Sequence, residues 1–213
     1  MFDLIVFDMD GVLVDSEPIA NRVMHKHLAT LGVPWTLAEQ TRDTLGLSTA
    51  SARVLIRERY GIEIPEATIL AMRAELDRVY HAELRAIRDV EAAIKAVDKP
   101  RCVASSSSPT RIELSLRLTG LKPYFDPHLF SAAMVERGKP HPDLFLLAAK
   151  TMGHDPRRAA VVEDSVPGVT AAVAAGMKVF AYAGADHADA EALAKAGGEV
   201  FTDMRELPKL LGV

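Results

Sequence analysis

One stretch limits the fold of this chain more than any other. Leu4-Ile5-Val6-Phe7 is a run of four strand formers that stops at two carboxylates two residues apart and a glycine, Asp8-Met9-Asp10-Gly11. A short unbroken apolar run bounded by a turn signal reads as a buried strand whose carboxyl end opens into a loop. In an open α/β sheet that end is where ligands bind. Asp8 and Asp10 are therefore the first candidates for chemistry.

The pattern then turns helical for about seventy residues. Glu17 to Gly32 places apolar residues at three- and four-residue spacing, and Pro34 follows. Thr36 and Glu39 have the spacing of a capping box. Ser48 can cap a helix running to about Tyr60, and Pro65 can open a long helix reaching about Ala86. Four helices with short connections and no strand predict a small bundle over 16–87, inserted into a core made of 1–15 and 88–213.

From Asp89 onward helix and strand alternate. Strands are expected at Arg101 to Ala104, near His128 to Phe130, at Ala159 to Val162, Lys178 to Tyr182 and Glu199 to Phe201. Helices are expected at Asp89 to Val97, after the Ser108-Pro109 cap, at Pro142 to Met152, from Pro167 to Gly176, at about Asp186 to Ala196 and at Met204 to Leu211. This alternation predicts a Rossmann-like, doubly wound, mostly parallel sheet covered on both faces.

Such a sheet brings the carboxyl ends of its strands to one edge. Asp8 and Asp10 follow the first strand, Ser105 to Ser107 the second, and Glu163 and Asp164 the fourth. Four carboxylates gathered there repel one another unless a cation intervenes. An all-oxygen donor set without His or Cys suits Mg²⁺ better than Zn²⁺. Lys139, on the stiff loop Gly138-Lys139-Pro140, adds a positive charge, while the serine hydroxyls and the N–H groups around Ser106 suit an anion such as phosphate. Together these groups describe a phosphoryl-transfer site.

At this point the chain resembles the haloacid dehalogenase superfamily, in the branch with a helical cap after the first strand that includes beta-phosphoglucomutases and phosphoglycolate phosphatases. The residues that carry the resemblance are Asp8-Met9-Asp10-Gly11, Val103-Ala104-Ser105-Ser106-Ser107, Gly138-Lys139-Pro140-His141-Pro142-Asp143 and Glu163-Asp164-Ser165-Val166-Pro167-Gly168. The resemblance implies Asp8 as nucleophile, Asp10 as general acid and base, and Ser105 and Lys139 as holders of the phosphoryl group. It implies Mg²⁺ held by Asp8, the main-chain carbonyl of Asp10, Asp164 and Glu163, the last directly or through water. Expected substrate contacts are Ser106, Gly46 and two residues of the first cap helix, Glu17 and Asn21.

The resemblance also sorts the activities. Dehalogenases proper lack the second aspartate, which Asp10 supplies as the proton source for an alcohol leaving group. Beta-phosphoglucomutases carry a His where this chain has Ala20 and an Arg where it has Thr49. The expectation is a Mg²⁺-dependent phosphatase acting on a sugar, polyol or sugar-acid phosphate through an aspartyl phosphate. A phosphosugar mutase is the alternative within the family, and a non-catalytic binding protein the alternative outside it.

Composition narrows the partners. Lys plus Arg number 25 against 29 Asp plus Glu, a net charge of -4, which gives no pull toward nucleic acid or an anionic membrane. No apolar run approaches a membrane span, and Met1 leads straight into the first strand without a signal-like segment. The single cysteine, Cys102, lies inside an apolar strand and reads as a small buried hydrophobe. The expected partner is a small phosphorylated metabolite, and the expected state a cytoplasmic monomer.

Overall fold

The computed structural model describes residues 2–44, 49–185 and 188–212, with the side chains of 49–51 outside that description. In chain order the elements are β1 (Leu4–Phe7), α1 (Glu17–Thr30), α2 (Leu37–Thr44), α3 (Thr49–Tyr60), α4 (Glu66–Glu83), α5 (Val90–Ala96), β2 (Arg101–Ser105), α6 (Pro109–Leu118), β3 (Leu129–Ser131), α7 (Asp143–Met152), β4 (Ala159–Glu163), α8 (Val166–Ala174), β5 (Lys178–Tyr182), α9 (Ala190–Lys195), β6 (Glu199–Phe201) and α10 (Leu207–Leu210). Two compact units result, Met1–Asp15 with Arg85–Val213, and Ser16–Leu84.

The first unit is an α/β layer structure with a six-stranded sheet in the order β3-β2-β1-β4-β5-β6, every neighbouring pair parallel. It is the Rossmann-like sheet the alternation of elements predicts. All four residues of β1 are buried, as a central strand covered on both faces requires. Leu4 and Val6 enter a cluster with Leu144, Phe145 and Ala148 of α7 and Val169 and Ala172 of α8. Phe7, on the opposite face, meets Phe125 edge to face with ring centroids 5.5 Å apart. The strand order reverses between β1 and β4, and a ligand-binding crevice forms outside such a reversal.

Registry then fixes what lies at that crevice. Phe7 is level with Val103 of β2 and Val162 of β4, and the N–H of Asp8 donates to the carbonyl of Val162 at 2.9 Å. Asp8 and Glu163 thus emerge side by side, with Ser105 at the end of the strand on the other flank.

In the second unit, α1, α3 and α4 and their connections pack around Leu28, Val33, Trp35, Ile56, Ile64 and Ile69, with Trp35 edge-on to Tyr60 at 5.5 Å. The capping box forms as expected: the N–H of Thr36 donates to Oε2 of Glu39 at 2.9 Å, and the N–H of Glu39 to Oγ1 of Thr36 at 3.2 Å. Ser48, expected to cap α3, lies outside the described residues.

Three helix boundaries differ from the sequence expectation. α4 stops at Glu83 rather than near Ala86, because Leu84 turns extended and Ala86 bridges antiparallel to Val14. The N–H of Asp15 donates to the carbonyl of Arg85 and the N–H of Ile87 to that of Leu13, so 85–87 group with the first unit. The helix expected from Asp186 begins at Ala190, where the carboxylate of Asp189 caps it by accepting from the N–H of Ala192 at 2.9 Å; Asp186 itself lies outside the described residues. The last expected helix divides into a 3-10 turn at Met204–Glu206 and α10, with Pro208, which has no N–H to give, at the junction. Among the described residues no helix is long and apolar enough to cross a membrane.

Candidate active site

The loop after β1 is closed by its own main chain. The N–H groups of Leu13 and Val14 both donate to the carbonyl of Met9, at 2.9 and 3.0 Å, and the N–H of Gly11 donates to the carbonyl of Val14 at 2.9 Å. Gly11 takes φ +78°, a conformation that side chains disfavour, and a Cβ on it would overlap the carboxylate of Asp164. Gly168, in the first turn of α8, is required for a similar reason, since its Cβ would overlap the carboxylate of Glu163. These two glycines let the β1 and β4 loops close around the acids.

Lys139 joins the two sides. Its Nζ donates to Oδ1 of Asp8 at 2.7 Å and to Oε1 of Glu163 at 2.6 Å, and stands 5.1 Å from the ring centroid of Phe145. Oε2 of Glu163 accepts from the main-chain N–H groups of Asp164 and Ser165, at 2.8 and 2.7 Å, and from Oγ of Ser165 at 2.9 Å. Glu163 is fully buried and Asp8 only 7% exposed.

Burial pushes Asp8 up to about 7, and the nearby charges of Glu163 and Asp10 act the same way, against the pull of Lys139. Burial also works against the charge on Lys139, yet Asp8 and Glu163 outweigh it and hold the ammonium above its ordinary value. One ammonium faces the carboxylates of Asp8 and Glu163, with that of Asp164 close by. Asp8, Glu163 and Asp164 each offer a carboxylate oxygen, all within 4.8 Å of one another, a group able to hold a hard cation.

Asp10 has a different setting. Its Oδ2 accepts from Oγ of Ser107 at 2.7 Å and its Oδ1 from a guanidinium nitrogen of Arg111 at 3.0 Å. Ser107 is itself fixed: its N–H donates to Oγ of Ser105 at 3.0 Å, and its carbonyl accepts from Oγ of Ser131 at 2.6 Å. Ser105 is buried at the end of β2, while Ser106 is exposed on the loop that follows.

The sheet edge thus brings together Asp8, Asp10, Ser105, Lys139, Glu163 and Asp164. Glu17 and Asn21 belong to the helical unit, on α1, and Gly46 lies outside the described residues. Sequence reasoning missed Arg111 and Ser131. A signal for Arg111 existed, because a cation in the first turn of a helix opposes the helix dipole and calls for another reason to be there. Cys102 is buried in β2, and burial pushes its thiol up to about 12.

A model of the haloacid dehalogenase-like hydrolases matches residues 2–176. The 6-phosphogluconate phosphatase of Escherichia coli K12 is 29% identical over 98% of this chain and 94% of its own length. Hexitol phosphatase B of the same organism is 33% identical over 81% of this chain and 80% of its own. The crystal structure of a haloacid dehalogenase-like protein of unknown function from Agrobacterium tumefaciens superposes with a TM-score of 0.90, at 38% identity, over 99% of this chain and 98% of that one. With that match across most of its length and with named phosphatases as relatives, the chain belongs to the haloacid dehalogenase-like hydrolases and is a phosphoric monoester hydrolase.

Proposed function

We propose that the chain hydrolyses a small phosphorylated sugar, polyol or sugar acid through a phosphorylated Asp8. The observation that carries this reading is the unequal setting of two carboxylates two residues apart. Asp8 is buried against Lys139 among other acids, while Asp10 is held by a hydroxyl and a guanidinium. Carboxylates whose surroundings differ in this way can divide the roles of nucleophile and acid–base.

In the first step an oxygen of Asp8 bonds to phosphorus as the ester P–O bond breaks, and Asp10 gives its proton to the departing oxygen, releasing an alcohol. In the second, water attacks the phosphorus of phosphorylated Asp8 and Asp10 takes its proton. The P–O bond to Asp8 breaks, releasing inorganic phosphate and restoring the carboxylate. Lys139 and Ser105 hold the phosphoryl oxygens and offset charge on Asp8. The donor set fits Mg²⁺, which Asp8, Asp164 and the main-chain carbonyl of Asp10 would hold. Glu163, its oxygens engaged by Lys139, Ser165 and two N–H groups, would act on the ion through water. When bound, the cation supplies neutralisation of charge developing on the phosphoryl group.

The relatives favour carbohydrate-like esters, since two of them are named for 6-phosphogluconate and hexitol phosphates. The test is a panel of sugar, polyol and sugar-acid phosphates with Mg²⁺, reading free phosphate and isomeric products together. Phosphate release that stops on chelation, and that falls more than about 100-fold in Asp8→Asn, is the expected result. Isomerisation with little free phosphate would replace this reading with a mutase.

A further inference from the structure

Arg111 occupies a place in the site that neither the phosphoryl group nor a cation explains. It sits in the first turn of α6, where Oγ of Ser108 accepts from its main-chain N–H at 3.4 Å and Pro109 opens the helix. Its guanidinium reaches Oδ1 of Asp10, while Ser107 reaches Oδ2, so both oxygens of the carboxylate are engaged. The pair is only partly screened, with side-chain exposures of 29% for Arg111 and 19% for Asp10. Behind Ser107 stand two further hydroxyls, Ser105 on its N–H and Ser131 on its carbonyl. Side chains from β2, β3 and α6 thus converge, Arg111 as a direct donor and Ser105 and Ser131 through Ser107, on one carboxylate of the loop after β1.

We propose that Arg111 is a positioning residue for Asp10: with Ser107 it fixes the plane of that carboxylate, and so the direction in which Asp10 delivers its proton. The role rests on the phosphatase reading above. Proton transfer requires close approach and alignment, and a carboxylate held on one oxygen alone can rotate away from the line. In this role Arg111 acts through Asp10.

The leaving group separates this role from others. With an alkyl phosphate, the P–O bond breaks as Asp10 hands its proton to the alkoxide oxygen, giving an alcohol and the Asp10 carboxylate. With 4-nitrophenyl phosphate the leaving group departs as nitrophenolate and Asp10 keeps its proton. A residue that only aims Asp10 matters to the first release and hardly to the second. A residue that binds phosphate, or merely supports the fold, matters equally to both.

The experiment uses the full chain with Mg²⁺ and compares wild type, Arg111→Ala and Arg111→Lys in single-turnover release of the leaving group from glycerol phosphate and from 4-nitrophenyl phosphate. Arg111→Ala is expected to slow alkyl release about 10- to 100-fold and nitrophenolate release by less than about 3-fold. Arg111→Lys, a single charged donor, is expected to recover part of the alkyl rate, and it carries the same selective deficit if the alanine variant does not fold. Equal slowing of both esters, or no slowing of either, would overturn the role. A wild-type chain that releases nothing from either ester, nor from any sugar or sugar-acid phosphate of the panel, would overturn the proposed route through Asp8 and Asp10, and this role with it.

Discussion

Nζ of Lys139 lies 2.6 Å from Oε1 of Glu163, and that glutamate has no contact with solvent. The lysine is the one cation among the described residues that bonds both Glu163 and Asp8, so its removal leaves two buried carboxylates without their shared partner. Breaking a buried pair from one side typically costs about 3–5 kcal/mol, whereas replacing both partners is often close to neutral. Lys139→Met is expected to lower stability by an amount of that order and to abolish turnover. Adding Glu163→Gln to it is expected to return at least half of the lost stability without restoring activity. Denaturant unfolding of the two single variants and the double variant closes the cycle; losses that simply add would show that the two residues are not coupled.

The raised value of Asp8 fixes a pH dependence. Its folded-state value, about 7, stands above its ordinary 3.8, so the folded protein binds the proton more tightly than the unfolded chain does. The resulting stability is fully present below about pH 4, declines as pH rises through about 7, and is gone above. A cation needs the ionised carboxylate and so competes with that proton. In the cation-free protein the Tm is expected to fall between pH 4 and 7, and the rise in Tm on adding Mg²⁺ is expected to be larger at pH 8 than at pH 5.5. Asp8→Asn should flatten the first trend; an unchanged slope in that variant would place the titration elsewhere.

Gly11 carries two demands at once, a positive φ and an approach to Asp164 that leaves no room for a Cβ. Gly11→Ala is therefore expected to move the β1 loop against Asp164, costing about 1–3 kcal/mol of strain and more than about 100-fold in phosphate release. Gly32, equally positive in φ but with open space around it, is the control. Gly32→Ala carries the strain alone, so its turnover per folded molecule is expected to stay at the wild-type level. Equal losses of activity in both variants would remove the steric argument.

The sheet and the central acids were legible in the sequence because each depends on short-range signals. Leu4 to Phe7 is apolar throughout since both faces of β1 are covered, and Gly120, Gly153 and Gly176 all take the positive φ expected of residues that close helices. The ends of strands could be paired in advance because parallel order forces them to one edge. What stayed hidden depends on side chains reaching across the fold. Arg111 is 101 residues from Asp10, and Ser131 is 24 from Ser107, on a strand too short to announce its last residue as polar by design. The early end of α4 was hidden for the same reason, since Ala86 leaves helical geometry to bridge Val14, a partner from the other end of the insertion. Propensity alone continues the helix; the tertiary bridge stops it.

Phe145 is fully buried at the start of α7 and presents its ring to the ammonium of Lys139 at 5.1 Å from the centroid. A desolvated contact of that kind is worth about 2 kcal/mol, and the ring also bars the lysine from swinging away from Asp8 and Glu163. Replacing it with leucine keeps most of the apolar volume while removing the π face. Phe145→Leu is expected to lower kcat by about 3- to 30-fold with little change in KM, since the lysine acts on charge that develops during transfer. Loss of core packing together with an exposed cation contact predicts a different result, and Phe180→Leu supplies that comparison: Phe180 is buried in β5 against Phe2, and the ammonium over its ring is that of Lys178, not Lys139. Both variants should lose stability to a similar extent, within the 1–3 kcal/mol typical of such changes. Only the Phe145 variant should lose turnover per folded molecule, and matching kcat values for the two would show that the ring merely fills space beneath the lysine.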